Sequence, residues 1–231
     1  MIVQLTENEL ISLVKKIIVE VENTNNLPDT KFGFGLIFAF PDYEIKGYGN
    51  ENLTKKVSRF IHGGSQKGTY GKLGHGGIIL VDSFGKAYLF EFGRYNTPEG
   101  FGRVIQKNLG RIGKIGTQSG IFSSKPILLN AEEVAKIAKR YTEGVGPNLK
   151  MNVASVRIPN FQGAYDFAKN KGDLRKYVEI DVIEGGGSNC GTYANDVMNA
   201  GGITNISPLC NPYANMIVKS FYPISDKYFS V

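Results

Sequence analysis

The stretch GGGSNCGTYANDVMNAG, residues 185–201, runs from a glycine-rich turn into a helical pattern, and Cys190 lies at the junction. Ser188 or Asn189 can serve as the N-cap, and apolar residues follow at helical spacing. A cysteine in the first turn of a helix lies where unpaired N–H groups and the positive end of the dipole favour a thiolate. The stretch therefore presents Cys190 as a candidate nucleophile. The alternative is a buried, inert cysteine, which is the usual state of a lone cysteine.

A cysteine hydrolase needs a base, most often histidine, and the chain contains two histidines, His62 and His75. The sequence around His75 predicts a β-hairpin with strands 75–81 and 86–92. Gly85 is suited to the left-handed position of a type I turn with a bulge. His62 ends a predicted helix, where a histidine favours the C-terminal dipole, so it is assigned a structural role.

The predicted turn sets the register of the hairpin, because it pairs Asp82 with Lys86. Glu91 then lies opposite Gly77, on the same face as His75 and diagonal to it, about 7–8 Å away at the backbone. Side chains of this length can meet over that distance. A shift of one residue would put them on opposite faces, and Glu91 would then be a surface carboxylate at the end of a strand.

At 231 residues the chain could form one large domain or two small ones. The chain is 42% hydrophobic, which is enough for a sizeable core, and its 29 glycines indicate many tight turns. The net charge of +6 is scattered, as on a solvated basic surface with a weak attraction to anionic polymers. We expect no nucleic-acid partner, because no zinc-finger, Walker or dinucleotide motif occurs.

The N-terminal residues predict an amphipathic helix at 6–22, opened by a capping box from Thr6 to Glu9, and not a signal peptide. No stretch approaches the ~20 apolar residues that cross a membrane, so we expect no stable membrane insertion.

A disulfide bond between Cys190 and Cys210 would inactivate the nucleophile, and free thiols are predicted. We expect neither a metal nor another cofactor, since the two cysteines and two histidines match no zinc motif. A serine triad is disfavoured because no G-x-S-x-G occurs.

The predicted elements indicate an α+β fold, in which an antiparallel sheet packs against helices on at least one side. The tail, residues 202–231, is predicted to be mostly loop. The predicted helices are 6–22, 51–62, 131–143 capped by Asn130, 160–171 capped by Asn160, the one that starts at Cys190, and a short one at 212–219. The predicted strands are 32–40, 75–81, 86–92, 126–129, 150–158 and 177–183, with short strands or turns at 103–108 and 111–115.

Three short motifs carry a resemblance: a histidine in a G-H-x-G-I setting, an acidic residue in Y-x-x-E, and a later N-C at a helix start. Together they resemble the circularly permuted papain-like cysteine hydrolases, the permuted branch of the NlpC-type cell-wall peptidases. That branch also includes lecithin retinol acyltransferase-like and YiiX-like proteins. In ordinary papain-like enzymes the cysteine precedes the histidine, whereas here the histidine comes first. The resemblance implies a permuted papain-like core within a single domain, residues 1–231, with 1–70 as an N-terminal helical and strand extension and 94–150 as an insertion.

The resemblance also implies roles for particular residues of this chain. Cys190 is the expected nucleophile, His75 the base and Glu91 the third polar residue. Asn189 and Gly191, which flank the cysteine, are the expected substrate-binding or oxyanion positions.

Members of this superfamily cut peptidoglycan stem peptides, move acyl chains or cleave isopeptide bonds. We favour a peptidase or amidase that acts on the bacterial cell wall. Without a signal peptide it would be cytoplasmic as made and then exported to, or delivered into, the periplasm, as an antibacterial effector with an immunity protein would be. The alternatives are a phage product, a cytosolic protease, a thiol acyltransferase or isopeptidase of the same fold, and a non-catalytic binding module.

Overall fold

The computed structural model describes residues 32–43, 74–95, 97, 101–119, 124–146, 148–170, 175–176, 188–204 and 214–231, which belong to one compact unit. The helices predicted at 6–22 and 51–62, the strand predicted at 177–183, His62, Cys210 and the glycines at 185–187 lie outside these residues.

The described residues form a seven-stranded antiparallel sheet, a two-stranded ribbon and four α-helices, so the predicted α+β class is confirmed. The strands are β1 (Gly33–Phe40), β2 (His75–Asp82), β3 (Lys86–Gly93), β4 (Phe101–Arg111), β5 (Ile115–Ser119), β6 (Ser124–Leu128), β7 (Asn152–Ile158), β8 (Arg175–Lys176) and β9 (Lys227–Ser230). The helices are α1 (Ala131–Lys139), α2 (Phe161–Asn170), α3 (Cys190–Ala200) and α4 (Ala214–Ser220), followed by a 3₁₀ turn at Tyr222–Ile224. The order in the large sheet is β8-β4-β3-β2-β1-β7-β9, and β5 pairs with β6.

The sheet is covered on both faces, which explains why every residue of β1 is buried. Alternate residues of the central strands pack under α2, α3 and α4 on one face. The intervening residues pack under α1 on the other face. Both β1 and β4 belong to this sheet, although β1 falls within the predicted extension and β4 within the predicted insertion. Both strands make their hydrogen bonds to the core strands β2 and β3.

The β2–β3 hairpin has the predicted register, with Gly77 opposite Glu91. Gly85 adopts a positive φ of 81° at the turn. The Asp82 carboxylate accepts hydrogen bonds from the backbone N–H groups of Phe84 and Lys86, at 2.9 Å and 2.8 Å. The turn chemistry thus holds both strands in the alignment that places His75 and Glu91 on one face.

Three predictions about strands and helix ends were wrong. β4 is one continuous strand with a register shift opposite Ala87 and Tyr88, and not two short segments. The tail contains a strand, β9, because it pairs with β7 far away in the sequence. Helix α1 ends at Lys139, four residues earlier than predicted.

The two predicted asparagine caps had different outcomes. The Asn160 side chain accepts from the N–H of Gly163, as expected of a cap of α2. The Asn130 side chain makes no cap bond to α1. It accepts from the N–H of Lys114 and donates to the carbonyl of Ile112, so it joins the start of α1 to the segment between β4 and β5. Within the described residues, none of the helices has the length and apolar character needed to span a membrane.

Candidate functional site

The sequence-predicted residues Cys190, His75 and Glu91 come together where α3 meets β2 and β3. Cys190 is the first residue of α3, His75 is the first residue of β2, and Glu91 lies near the end of β3. All three are buried, Glu91 completely. Cys190 is a free thiol, as predicted. The interpretation of Glu91 as a surface carboxylate is therefore wrong.

The start of α3 is fixed by a capping box. The Asn189 side-chain oxygen accepts from the backbone N–H groups of Gly191 and Thr192, each at 2.9 Å. The Thr192 hydroxyl oxygen accepts from the Asn189 N–H at 2.7 Å. This reciprocal arrangement begins the helix at Cys190, at the positive end of its dipole.

The capping box gives Asn189 and Gly191 a structural role, and their role as substrate-binding or oxyanion positions stays a prediction. The Gly191 N–H is already donated to the Asn189 side chain. A Cβ at Gly191 would also clash with the terminal methyl of Ile217 in α4. A side chain at position 191 would therefore require Ile217 to move.

His75 and Glu91 form a buried pair, with Nε2 of the ring 3.0 Å from Oε1 of the carboxylate. The other carboxylate oxygen, Oε2, accepts from the backbone N–H of Glu143 at 3.2 Å. A buried carboxylate is costly unless it is paired and hydrogen-bonded, and Glu91 has both kinds of partner. The pair therefore fixes the ring of His75 from a rigid position in the sheet.

Burial has the largest single effect on the pKa of His75, and it favours the neutral ring. Hydrogen bonds with the side chains of Cys190 and Glu91, together with the charges of both, outweigh burial and raise the pKa to about 10. The ring is therefore an imidazolium at neutral pH. The two side chains that raise the pKa of His75, Cys190 and Glu91, are the ones expected to act with it.

Two tyrosines contact His75, and sequence analysis missed both. The Tyr95 hydroxyl lies 3.0 Å from Nε2, and its ring stands edge-on to the imidazole with centroids 6.2 Å apart. The centroid of the Tyr43 ring lies 5.4 Å from the centroid of the imidazole. Burial raises the pKa of Tyr43, Arg94 opposes this, and the charges of Cys190 and Glu91 add to it.

The sequence contains a local signal for Tyr95 but none for Tyr43. Glu91, Gly93 and Tyr95 follow one another at the period of two that marks one face of a strand. Tyr43 reaches the site only because β1 pairs with β2, where Phe40 lies opposite His75. That pairing joins residues that are 35 positions apart, and local patterns do not report it.

The family described as "Type VI secretion system effector TseH-like" matches residues 35–205, a span that contains Cys190, His75 and Glu91. Among solved structures, the crystal structure of the type VI secretion system effector TseH superposes with a TM-score of 0.53 at 17% identity. The match covers 87% of this chain and 98% of that chain. At this identity the likeness shows a shared fold. Among curated proteins, none matches the chain.

Proposed function

This chain belongs to the family of TseH-like type VI secretion system effectors, and we propose that it is an antibacterial cysteine amidase or peptidase with a permuted papain-like core. The proposed substrate is the stem peptide of peptidoglycan. The observation that carries the proposal is the convergence of Cys190, His75 and Glu91 at the start of α3. A nucleophile, a base and a group that orients the base are the minimum for acyl transfer by a thiol.

The first step is attack on the amide. The imidazolium of His75 stabilises the thiolate of Cys190, whose sulfur adds to the carbonyl carbon of the substrate. The Cys190 N–H donates to the oxyanion, since the capping box engages the next two N–H groups of the helix. One such donor contributes about 2.7–4 kcal/mol to the stabilisation of the transition state.

The second step breaks the carbon–nitrogen bond. His75 gives its proton to the leaving amine, and the acyl group remains on Cys190 as a thioester. Water then attacks the thioester and gives a proton to His75, which releases the carboxylic acid and restores the Cys190 thiolate and the His75 imidazolium. Glu91 keeps the ring oriented and balances its charge during both steps.

Two further properties support a cell-wall substrate. The net charge of +6 attracts anionic polymers, and stem peptides carry carboxylates. Membership of an effector family supports delivery into a target cell. The wall lies outside the cytoplasmic membrane, so the proposal places the activity in the target periplasm. An immunity protein is the partner that would protect the producing cell.

The test is digestion of purified peptidoglycan, with the released muropeptides identified by mass spectrometry. We expect the wild type to open one bond of the stem peptide. Cys190→Ala should abolish cleavage, and His75→Ala should reduce it by at least ~100-fold, because general acid–base catalysis supplies about that much. His62→Ala is the matched control and should keep most of the activity.

Activity retained in Cys190→Ala would exclude the thiol mechanism. No cleavage by the folded wild type, with Cys190 still alkylated rapidly by iodoacetamide, would direct the search to the acyltransferase and isopeptidase alternatives. A slow alkylation as well would favour a non-catalytic binding module.

A further inference from the structure

Among the described residues the Nε2 atom of His75 has two partners, and the mechanism above uses only one of them. Glu91 Oε1 and the Tyr95 hydroxyl oxygen each lie 3.0 Å from this nitrogen. The Tyr95 ring meets the imidazole edge-on, at 86° between the ring planes. Tyr95 therefore contacts the ring at the atom that faces the carboxylate.

Tyr95 reaches this position because of Gly93. A Cβ built at Gly93 would lie 2.9 Å from both Cε2 and Cζ of the tyrosine ring, closer than real Cβ contacts. The ring thus lies directly over the backbone of β3, two residues beyond Glu91. The absence of a side chain at Gly93 is what permits this contact.

We propose that Tyr95 is a positioning residue for His75, because its hydroxyl oxygen shares the Nε2 proton with Glu91 and so leaves Nδ1 toward Cys190. The effect of Tyr95 on turnover rests on the proposed function, whereas its effect on the ionisation of His75 does not. Two acceptors at Nε2 favour the tautomer with the proton on that atom. The opposite tautomer would set the ring lone pair against the carboxylate and would point an N–H at the sulfur.

The same geometry stabilises the charged ring, since the Tyr95 oxygen is one of the acceptors of the imidazolium. Cys190 and Glu91 are the other ionisable side chains that affect the pKa of His75. Tyr43 packs against the imidazole, and Arg94 in turn affects the pKa of Tyr43. Removing the hydroxyl leaves those groups in place. The ring should then lose its proton at a lower pH.

The test uses the fact that the chain has only two histidines. In a His62→Gln background, ¹⁵N-histidine NMR reports the ionisation and the tautomer of His75 alone. We expect Tyr95→Phe to move the titration of His75 down by about one pH unit, since a hydrogen bond to a charged group contributes roughly that much. The neutral ring should become a mixture of tautomers. For turnover we expect a several-fold loss in kcat with little change in KM.

The control is Tyr222→Phe, the same chemical change at an exposed tyrosine that packs against Tyr228. It should leave the titration, the tautomer and kcat unchanged. If circular dichroism shows that Tyr95→Phe does not fold, Gly93→Ala is the second variant, and we expect it to change the titration and tautomer of His75 in the same way. It keeps the hydroxyl but pushes the ring away from His75.

An unchanged titration and tautomer of His75 in the folded variant would overturn the proposal. This readout does not depend on hydrolysis. A shifted titration in a protein that cleaves no stem peptide supports the role of Tyr95 and contradicts only the proposed function. A normal titration in an active variant contradicts only the role of Tyr95.

Discussion

Glu91 is completely buried, and its carboxylate has a cation on one side and a backbone N–H on the other. Removing one member of a buried charge pair leaves the other uncompensated, which is costly. Glu91 is therefore expected to act on catalysis through the charge state of His75. The direction of that effect follows from the raised pKa of the ring.

The first prediction concerns Glu91→Gln, which keeps an acceptor for the ring but removes the negative charge. In the wild type the imidazolium persists to a pH of about 10, so the alkaline limb of kcat/KM should lie near that value. The variant loses a cause of the raised pKa, and its alkaline limb should move to lower pH. We expect turnover to fall by about 100-fold or less, because Glu91 acts through the base.

Glu143→Gln is the matched control for this measurement. Its side chain forms a salt bridge with Lys107 in which both partners are more than a third exposed, and such pairs contribute little. Its backbone N–H still donates to Glu91. An alkaline limb that stays in place in Glu91→Gln would show that the carboxylate does not set the ionisation of His75.

Helices α3 and α4 meet at Gly191 and Ile217, where a Cβ at position 191 would force the Ile217 side chain to shift. Ile217 belongs to the hydrophobic cluster that includes Cys190, and Gly191 is buried in the same helix as Cys190. The orientation of the nucleophile therefore depends on a helix that comes after it in the chain. The terminal methyl of Ile217 is the atom that a larger residue at Gly191 would meet first.

The second prediction follows from that contact. Gly191→Ala should destabilise the protein by about 1–3 kcal/mol, as overpacking of a core does. Ile217→Val removes the obstructing methyl and alone should cost about 0.5–1.5 kcal/mol. Together the two substitutions should cost less than the sum of the separate effects. Urea unfolding of the four proteins measures the coupling, and additive costs would show that the two residues do not interfere.

The site also depends on both layers of the fold. His75 and Glu91 share the sheet face of Ile79 and Leu89, which pack under α1. Cys190 belongs to the opposite layer, with α2, α3 and α4. Cys190 and His75 meet where β2 begins, so the constellation exists only when helices on both faces are in place. Catalytic activity should therefore be lost in the same cooperative transition as the fold.

The third prediction concerns the chain in a cell. When it is expressed with an export signal in a Gram-negative host, the wild type should cause lysis, because the proposed substrate lies in the periplasm. Expressed without that signal it should be tolerated, and exported Cys190→Ala should be harmless at equal abundance on immunoblots. Equal toxicity from the cytoplasm would indicate a cytosolic target, and lysis by Cys190→Ala would exclude a thiol-dependent cause.

Local patterns were enough to place much of the candidate site. The capping residue Asn189 lies three positions from Thr192, and the hairpin register follows from the turn between Asp82 and Lys86. Helix capping, strand alternation and turn chemistry act over a few residues, so a sequence displays them directly. For this reason Cys190 at a helix start, and Glu91 diagonal to His75, could be predicted.

Other features of the site depend on contacts between distant segments. The Glu143 N–H meets Glu91 across 52 positions, and β9 pairs with β7 across more than seventy. Gly191, which the resemblance implies as a substrate-binding or oxyanion position, also contacts Ile217 of α4, a neighbour that local patterns do not display. Tyr43 reaches His75 only through the pairing of β1 with β2. The amino-acid sequence specifies each helix and strand through short-range forces, whereas long-range packing selects which side chains finally surround the sulfur and the imidazole.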